Sequence, residues 1–149
     1  MAIVAIDDAD RVVLVRQWRV ATGGPLWELP AGGLDADPTT GILEDPGSAA
    51  ARELEEETGF RARTWRRLAS FWSAPGFTSE LMHVYLATGI EPAGPDDRRG
   101  PEEDEHLRVA WRPFAEALAD VERGEIRDAK SVAGLLWVAH ERATATTKS

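Results

Sequence analysis

Two apolar runs, residues 3–6 and 12–15, stand on either side of the polar tetrapeptide Asp7-Asp8-Ala9-Asp10. Runs of β-branched residues bounded by turn-forming side chains predict a strand, a tight turn and a second strand over residues 11–18. The chain therefore opens in a sheet. Gly23-Gly24-Pro25 breaks the pattern, residues 26–29 resume it briefly, and Pro30 ends it. From residue 31 to 47 Gly, Pro, Asp and Thr prevail and no apolar period survives, which predicts a long loop. Residues 48–58 are an unbroken series of helix formers, with Ser48 as the expected N-cap and Gly59 where a left-handed residue closes a helix.

Strands are expected again over residues 64–73 and 81–88, with a turn at Ala74-Pro75-Gly76-Phe77 between them. A polar loop over residues 91–101 leads into the acidic run Glu102-Glu103-Asp104-Glu105 and a short strand over residues 107–111. Phe114, Leu118 and Val121 recur at helical spacing up to Gly124; Val132, Leu135, Leu136 and Ala139 do so in a last helix. Both helices have an apolar stripe with which to cover a sheet. Strands and helices mix without a repeat or a linker, so residues 1–142 are expected to form one α/β domain, and the small polar residues 143–149 a frayed tail.

Composition narrows the possibilities. With 149 residues, 43% of them hydrophobic, the chain suffices for one packed core and not for two domains. No apolar run approaches the roughly 18 residues of a membrane helix, and neither a signal-peptide pattern nor a cysteine is present, so a cytoplasmic location is expected. The net charge of -9 argues against nucleic acid and anionic membranes as partners, and an anionic substrate would need a recruited cation.

Such a cation has an obvious place. Arg52-Glu53-Leu54-Glu55-Glu56-Glu57-Thr58-Gly59 crowds carboxylates at the negative pole of a helix, where each is disfavoured by about 0.3–1 kcal/mol when exposed. Glu53 and Glu57 add an i,i+4 repulsion. Rotation of about 100° per residue brings Glu53, Glu56 and Glu57 to one face, with Glu55 turned away and Leu54 toward a core. Three hard oxygen donors converging there favour magnesium, with manganese as the alternative. The competing account is a solvated acidic face on which Arg52 makes an ordinary pair with Glu56.

Spacing favours the metal. Glu44 stands eight residues before Arg52, and Arg52, Glu53, Leu54, Glu56, Glu57, Gly59 and Phe60 complete the order E-x7-R-E-U-x-E-E-x-G-U, U being bulky and apolar. This resembles the Nudix box, the signature of hydrolases acting on nucleoside diphosphates linked to another group. The resemblance implies a Nudix α/β/α sandwich with a mixed β-sheet. One position departs from it: the glycine expected six residues before the first glutamate is Pro38, with Gly32 and Gly33 further upstream. An insertion of about six residues within 35–43 accounts for this, since loops absorb such additions at small entropic cost.

Trp27-Glu28-Leu29-Pro30-Ala31-Gly32-Gly33, the preceding Val13-Leu14-Val15-Arg16-Gln17-Trp18-Arg19, and Pro75 sixteen positions after Gly59 resemble the ADP-ribose pyrophosphatase branch. What this implies is magnesium-dependent hydrolysis of a nucleotide sugar, ADP-ribose, to AMP and ribose 5-phosphate, by a homodimer. Carried over by position, Glu53 and Glu57 become metal ligands, with Glu57 also counted among the catalytic groups. Glu56 becomes an inner or outer carboxylate of the same cluster, and the Ala31 carbonyl a further ligand. Arg52 and Glu44 tie loop to helix. Glu103 becomes the general base and Glu105 a metal ligand, the two roles being exchangeable. Arg19 is the first choice for a phosphate contact and Arg16 the second, with Gly33 bordering the substrate and Glu80 a weaker candidate. Members of this branch usually carry an amino-terminal segment of strands, so the nucleotide pocket here is expected to be built differently or completed by residues outside this sequence. Alternatives are a broader nucleoside-diphosphate-sugar hydrolase, an ADP-ribose sensor without turnover, and a protein-interaction module with an acidic surface. Trp18, Trp27 and Trp72 are expected in the core, and no Ser/His/Asp set at suitable spacing suggests covalent catalysis.

Overall fold

The computed structural model describes residues 1–94 and 107–147. In chain order the elements are β1 (Ala2–Ile6), β2 (Arg11–Arg19), a 3-10 turn (Val20–Thr22), β3 (Gly24–Glu28), α1 (Pro46–Thr58), β4 (Phe60–Trp72), β5 (Leu81–Pro92), β6 (Arg108–Pro113), α2 (Phe114–Glu122) and α3 (Ala129–Thr146). The strands form one mixed sheet in the order β3-β2-β1-β5-β4, with β6 also paired with β2. Among the described strands only β1 and β5 run parallel. β1 meets β2 just beside the turn, at Ile6 and Val12; the second half of β2 pairs with β3. The chain leaving β3 then continues along β1, where the Ile3 N–H donates to the Pro30 carbonyl at 2.9 Å and the Gly32 N–H to the Met1 carbonyl at 3.1 Å. This continuation fixes residues 30–32 to the middle of the sheet.

The sheet is buried on both faces. Ala2, Val4, Ile6, Val12 and Leu14 pack with Phe114, Ala117, Leu135 and Val138 of α2 and α3, while Ile3, Ala5 and Val13 pack with Ala49, Ala50 and Leu54 of α1. The result is the expected α/β/α sandwich. It explains why residues 12–15 are uniformly apolar: a strand covered on both sides has no solvent face to encode. Burial of each large aliphatic side chain contributes about 1.5–3 kcal/mol. α3 lies close to the sheet at Gly134, where an added Cβ would stand 2.9 Å from Leu29 Cδ1 and 3.0 Å from Val4 Cγ2. The same helix is tied to the end of β3 by the Leu29 N–H, which donates to Ser131 Oγ at 2.8 Å.

Several boundaries differ from expectation. α1 is capped by Asp45, not Ser48: its Oδ1 accepts from the Gly47 and Ser48 N–H groups at 2.9 and 3.0 Å, and Pro46 fills the first turn, where its missing N–H costs nothing. Gly59 closes the helix at φ 72° as expected. β4 begins at Phe60, four residues early, because Phe60 through Ala62 pair with Pro92 through Ile90, a pairing its arginines conceal in the hydropathy pattern. α3 continues through residues 143–146, corrected from tail to helix, with Thr144 and Thr146 hydroxyls donating to the carbonyls of Glu141 and Arg142. Trp18 and Trp72 are 63% and 55% exposed rather than core, lying at strand ends beyond the packed layers. Trp27 does pack against the α2 and α3 layer. Among the described residues no helix is long and apolar enough to cross a membrane.

Candidate active site

Arg52 organises the acidic end of α1. Its Nη1 donates to Glu53 at 3.0 Å and to Glu56 at 2.8 Å; Nη2 donates to Glu44 at 2.6 Å and to the Gly33 carbonyl at 3.2 Å. Nε makes no hydrogen bond and approaches Asp35 only as a 3.4 Å ion pair. The hydrogen bond to Glu44 foremost, with Glu56 and Glu53 behind it and burial opposing, holds the guanidinium proton more tightly than in an ordinary arginine. One side chain therefore joins helix and loop, as expected of Arg52 and Glu44. The expected insertion folds back on itself: Ala36 bridges Leu43, and Asp35 and Glu44 bond each other across the stem, so the excursion leaves Glu44 in place.

Glu53 lies against Gly32 so closely that a Cβ at that glycine would fall on its carboxylate. Burial, reinforced by the neighbouring Glu56 and opposed by Arg52, pushes the Glu53 carboxyl above the usual range. Glu57 is only 8% exposed, and its Oε2 accepts the Ala31 N–H at 2.9 Å. Glu55 points elsewhere, to a two-pronged pair with Arg61 at 2.8 and 3.0 Å.

Glu53, Glu56 and Glu57, expected on one helix face, are held by different partners. Among the described residues no three acidic or histidine side chains are assembled as a metal site. Arg52 draws Glu53 and Glu56 together, whereas Glu57 turns to the backbone of Ala31. The donor chemistry nonetheless suits a divalent ion. Carboxylate oxygens and a backbone carbonyl are hard ligands, and Glu53 is a crowded, half-desolvated carboxylate whose charge a cation would relieve. Gly32, lacking a Cβ, leaves room for the Glu53 carboxylate itself. Glu103 and Glu105 lie outside the described residues.

Beside these groups is a cleft of about 470 Å³ whose lining includes Ala31, Gly32 and Gly33, Arg19 of β2, Ser73 and Glu80, and Asp128 and Lys130 at the start of α3. Arg19 and Gly33 are thus brought together with the Ala31 backbone, and Glu80 borders the same space. Arg16 is not. Three residues from Arg19 on one strand, it projects from the opposite face, stacks over Trp27 at 6.0 Å, and lines a separate cleft with Gly124 and Arg127.

Two residues escaped the sequence. Glu28 is 2% exposed and accepts from Arg19 Nε and Nη2, both at 2.9 Å, and from Lys130 Nζ. Burial would raise its carboxyl, but the bonds from Arg19 and Lys130 more than reverse this and hold it below the ordinary glutamate range. An acidic residue inside an apolar strand was the available signal; Lys130 offered none, since only the fold brings α3 beside β3.

The NUDIX domain family model matches residues 1–135. An ADP-ribose pyrophosphatase of Mycobacterium tuberculosis is 44% identical over 138 residues, which is 93% of this chain and 63% of that protein. A GDP-mannose pyrophosphatase of Cronobacter sakazakii is 39% identical over 127 residues, covering 81% of this chain and 62% of that protein. A crystal structure described as an ADP compounds hydrolase superposes with TM-score 0.77 at 28% identity, over 97% of this chain and 72% of its own. This chain therefore spans less than two thirds of the length of both curated relatives.

Proposed function

The chain belongs to the Nudix family, and from that premise we propose that it is a pyrophosphohydrolase cleaving the diphosphate of ADP-ribose, with water, to AMP and ribose 5-phosphate. The observation that carries this is the meeting of α1 with the Ala31–Gly32–Gly33 strip: carboxylates Glu53 and Glu57 abut the strip while Arg19 lines the cleft beside it. Glu53 and Glu57, with Glu56 and the Ala31 carbonyl, would hold magnesium, or manganese in its place. Bound there, the ion neutralises charge on the phosphate oxygens and makes bound water more acidic. The side chains supply the rest. Arg52 fixes Glu53 and Glu56 relative to the loop, the Ala31 N–H fixes Glu57, and Arg19 lines the cleft as a short-range contact for the anionic substrate. Glu103 is proposed to take the proton of the attacking water and Glu105 to complete the ligand set, the two roles remaining exchangeable. The bond formed is water oxygen to phosphorus; the bridging oxygen leaves on the other phosphate.

The similarity to a GDP-mannose pyrophosphatase, only five points of identity below that to an ADP-ribose pyrophosphatase, favours a second reading with broader nucleoside-diphosphate-sugar specificity. A product assay separates them: ADP-ribose, other ADP-sugars, UDP-glucose and GDP-mannose, each with and without magnesium. Preferred, magnesium-dependent release of AMP from ADP-ribose supports the first reading. Preference for UDP- or GDP-sugars supports the second, and no turnover of any member removes both.

A further inference from the structure

Glu28 is a charged group placed almost wholly out of water, between a strand and the first turn of a helix. Such burial is rarely a net source of stability, because desolvation of the ions offsets their attraction. What it accomplishes is geometric. Its two oxygens accept the forked guanidinium of Arg19 at 2.9 Å each, and Oε2 also accepts from Lys130 Nζ. Lys130 is held a second time by Asp128 Oδ2 at 2.8 Å. Its backbone is held too: Asp128 caps α3 through the Ser131 N–H at 3.2 Å, and Ser131 Oγ receives the Leu29 N–H. Arg19 and Lys130, contributed by elements distant in sequence, therefore both line the cleft that contains Gly32 and Gly33. The Arg19 side chain stays 40% exposed there and that of Lys130 15%.

We propose that Glu28 is a positioning residue that fixes Arg19 and Lys130 as a two-point cationic clamp on the diphosphate of the substrate, with Lys130 the second anion contact. The inference rests on the hydrolase reading above and deepens it. The clamp works by preorganisation more than by net charge: Glu28 and Asp128 cancel much of the positive field at a distance, whereas at contact range the donors already stand in one orientation.

The test uses the whole chain and α,β-methylene-ADP, a diphosphate that is not hydrolysed, with affinity measured by calorimetry in EDTA and KM and kcat measured with magnesium and ADP-ribose. Lys130→Met is expected to weaken analogue binding and raise KM by about tenfold or more, with a smaller change in kcat, and Lys130→Arg to recover most of the loss. Glu28→Gln is expected to weaken binding similarly, and to add little once Lys130→Met and Arg19→Ala are both present. Wild-type affinity in Lys130→Met overturns the clamp. So does an equal loss from Glu28→Gln with and without the two cations, since a merely structural glutamate would act that way. If Glu28→Gln does not fold, Lys130→Met and Lys130→Arg decide alone, for they leave Glu28 paired with Arg19. Binding by the wild type without turnover of any nucleotide would leave the clamp standing and remove the hydrolase; no binding by the wild type overturns the clamp itself.

Discussion

Replacing Gly32 by alanine isolates the contact between the Ala31–Gly32–Gly33 strip and α1. Gly32 is not among the residues of positive φ, so alanine suits its backbone and the perturbation is purely steric. The added Cβ would coincide with the Glu53 carboxylate, which cannot retreat freely: Arg52 holds it, and Arg52 is itself held by Glu44 and Glu56. Restoring van der Waals distance moves that carboxylate by roughly 1 Å or more, a misplacement that costs on the order of a hundredfold in rate when the displaced group belongs to the catalytic centre. Stability should suffer little, because the nearest atoms the Cβ meets are the far end of a flexible side chain and not backbone. The assay is kcat/KM for ADP-ribose across a magnesium titration, with a thermal melt as control. A loss of about two orders of magnitude with an unchanged melt is expected, and Glu53→Gln should add little to it. Turnover within a few-fold of wild type would refute the placement of Glu53 at the reacting centre.

Elsewhere, Gly134→Ala should destabilise the fold even though alanine is the better helix former, because its Cβ would press on Leu29 and Val4; overpacking costs about 1–3 kcal/mol against roughly 1 kcal/mol of propensity. A raised melting temperature would contradict the close approach of α3. Glu28, whose carboxyl is held low in the folded protein, contributes stability that is fully present above the ordinary glutamate value of about 4.3 and is lost as pH falls through its lower folded value. Urea unfolding at a series of acidic pH values should show a shallower acid limb for Glu28→Gln; identical limbs would dismiss the pairing. That limb should persist in part, since arginines also hold Glu44 and Glu141 low.

What the sequence disclosed and what it hid follow from the range of the forces involved. The Arg52-to-Glu57 part of the box was legible because those residues lie within two turns of α1, where spacing determines which side chains share a face. Gly59 was legible for the same local reason, and so was the doubly covered run 12–15. The exchange of Asp45 for Ser48 as N-cap shows the limit: both can cap, and Pro46 decides by taking the first turn. The direction of Glu57 was hidden, since it depends on the Ala31 N–H, delivered by pairing between β1 and the segment after β3. The ranking of Arg19 above Arg16 was legible, since strand alternation sets the two on opposite faces and only Arg19 lines the cleft. Glu28 and Lys130 were hidden most completely, because their contact exists only when α3 docks beside β3.

The α1 carboxylates and the Ala31 carbonyl are proposed to bind a divalent ion that also holds the substrate's diphosphate. The most direct measurement is anomalous diffraction from crystals grown with manganese and a non-hydrolysable ADP-ribose analogue. A manganese peak shared by Glu53, Glu57 and phosphate oxygens of the analogue is expected, as is its loss in Glu57→Gln. Analogue bound in the cleft with no ion between it and those glutamates would contradict it.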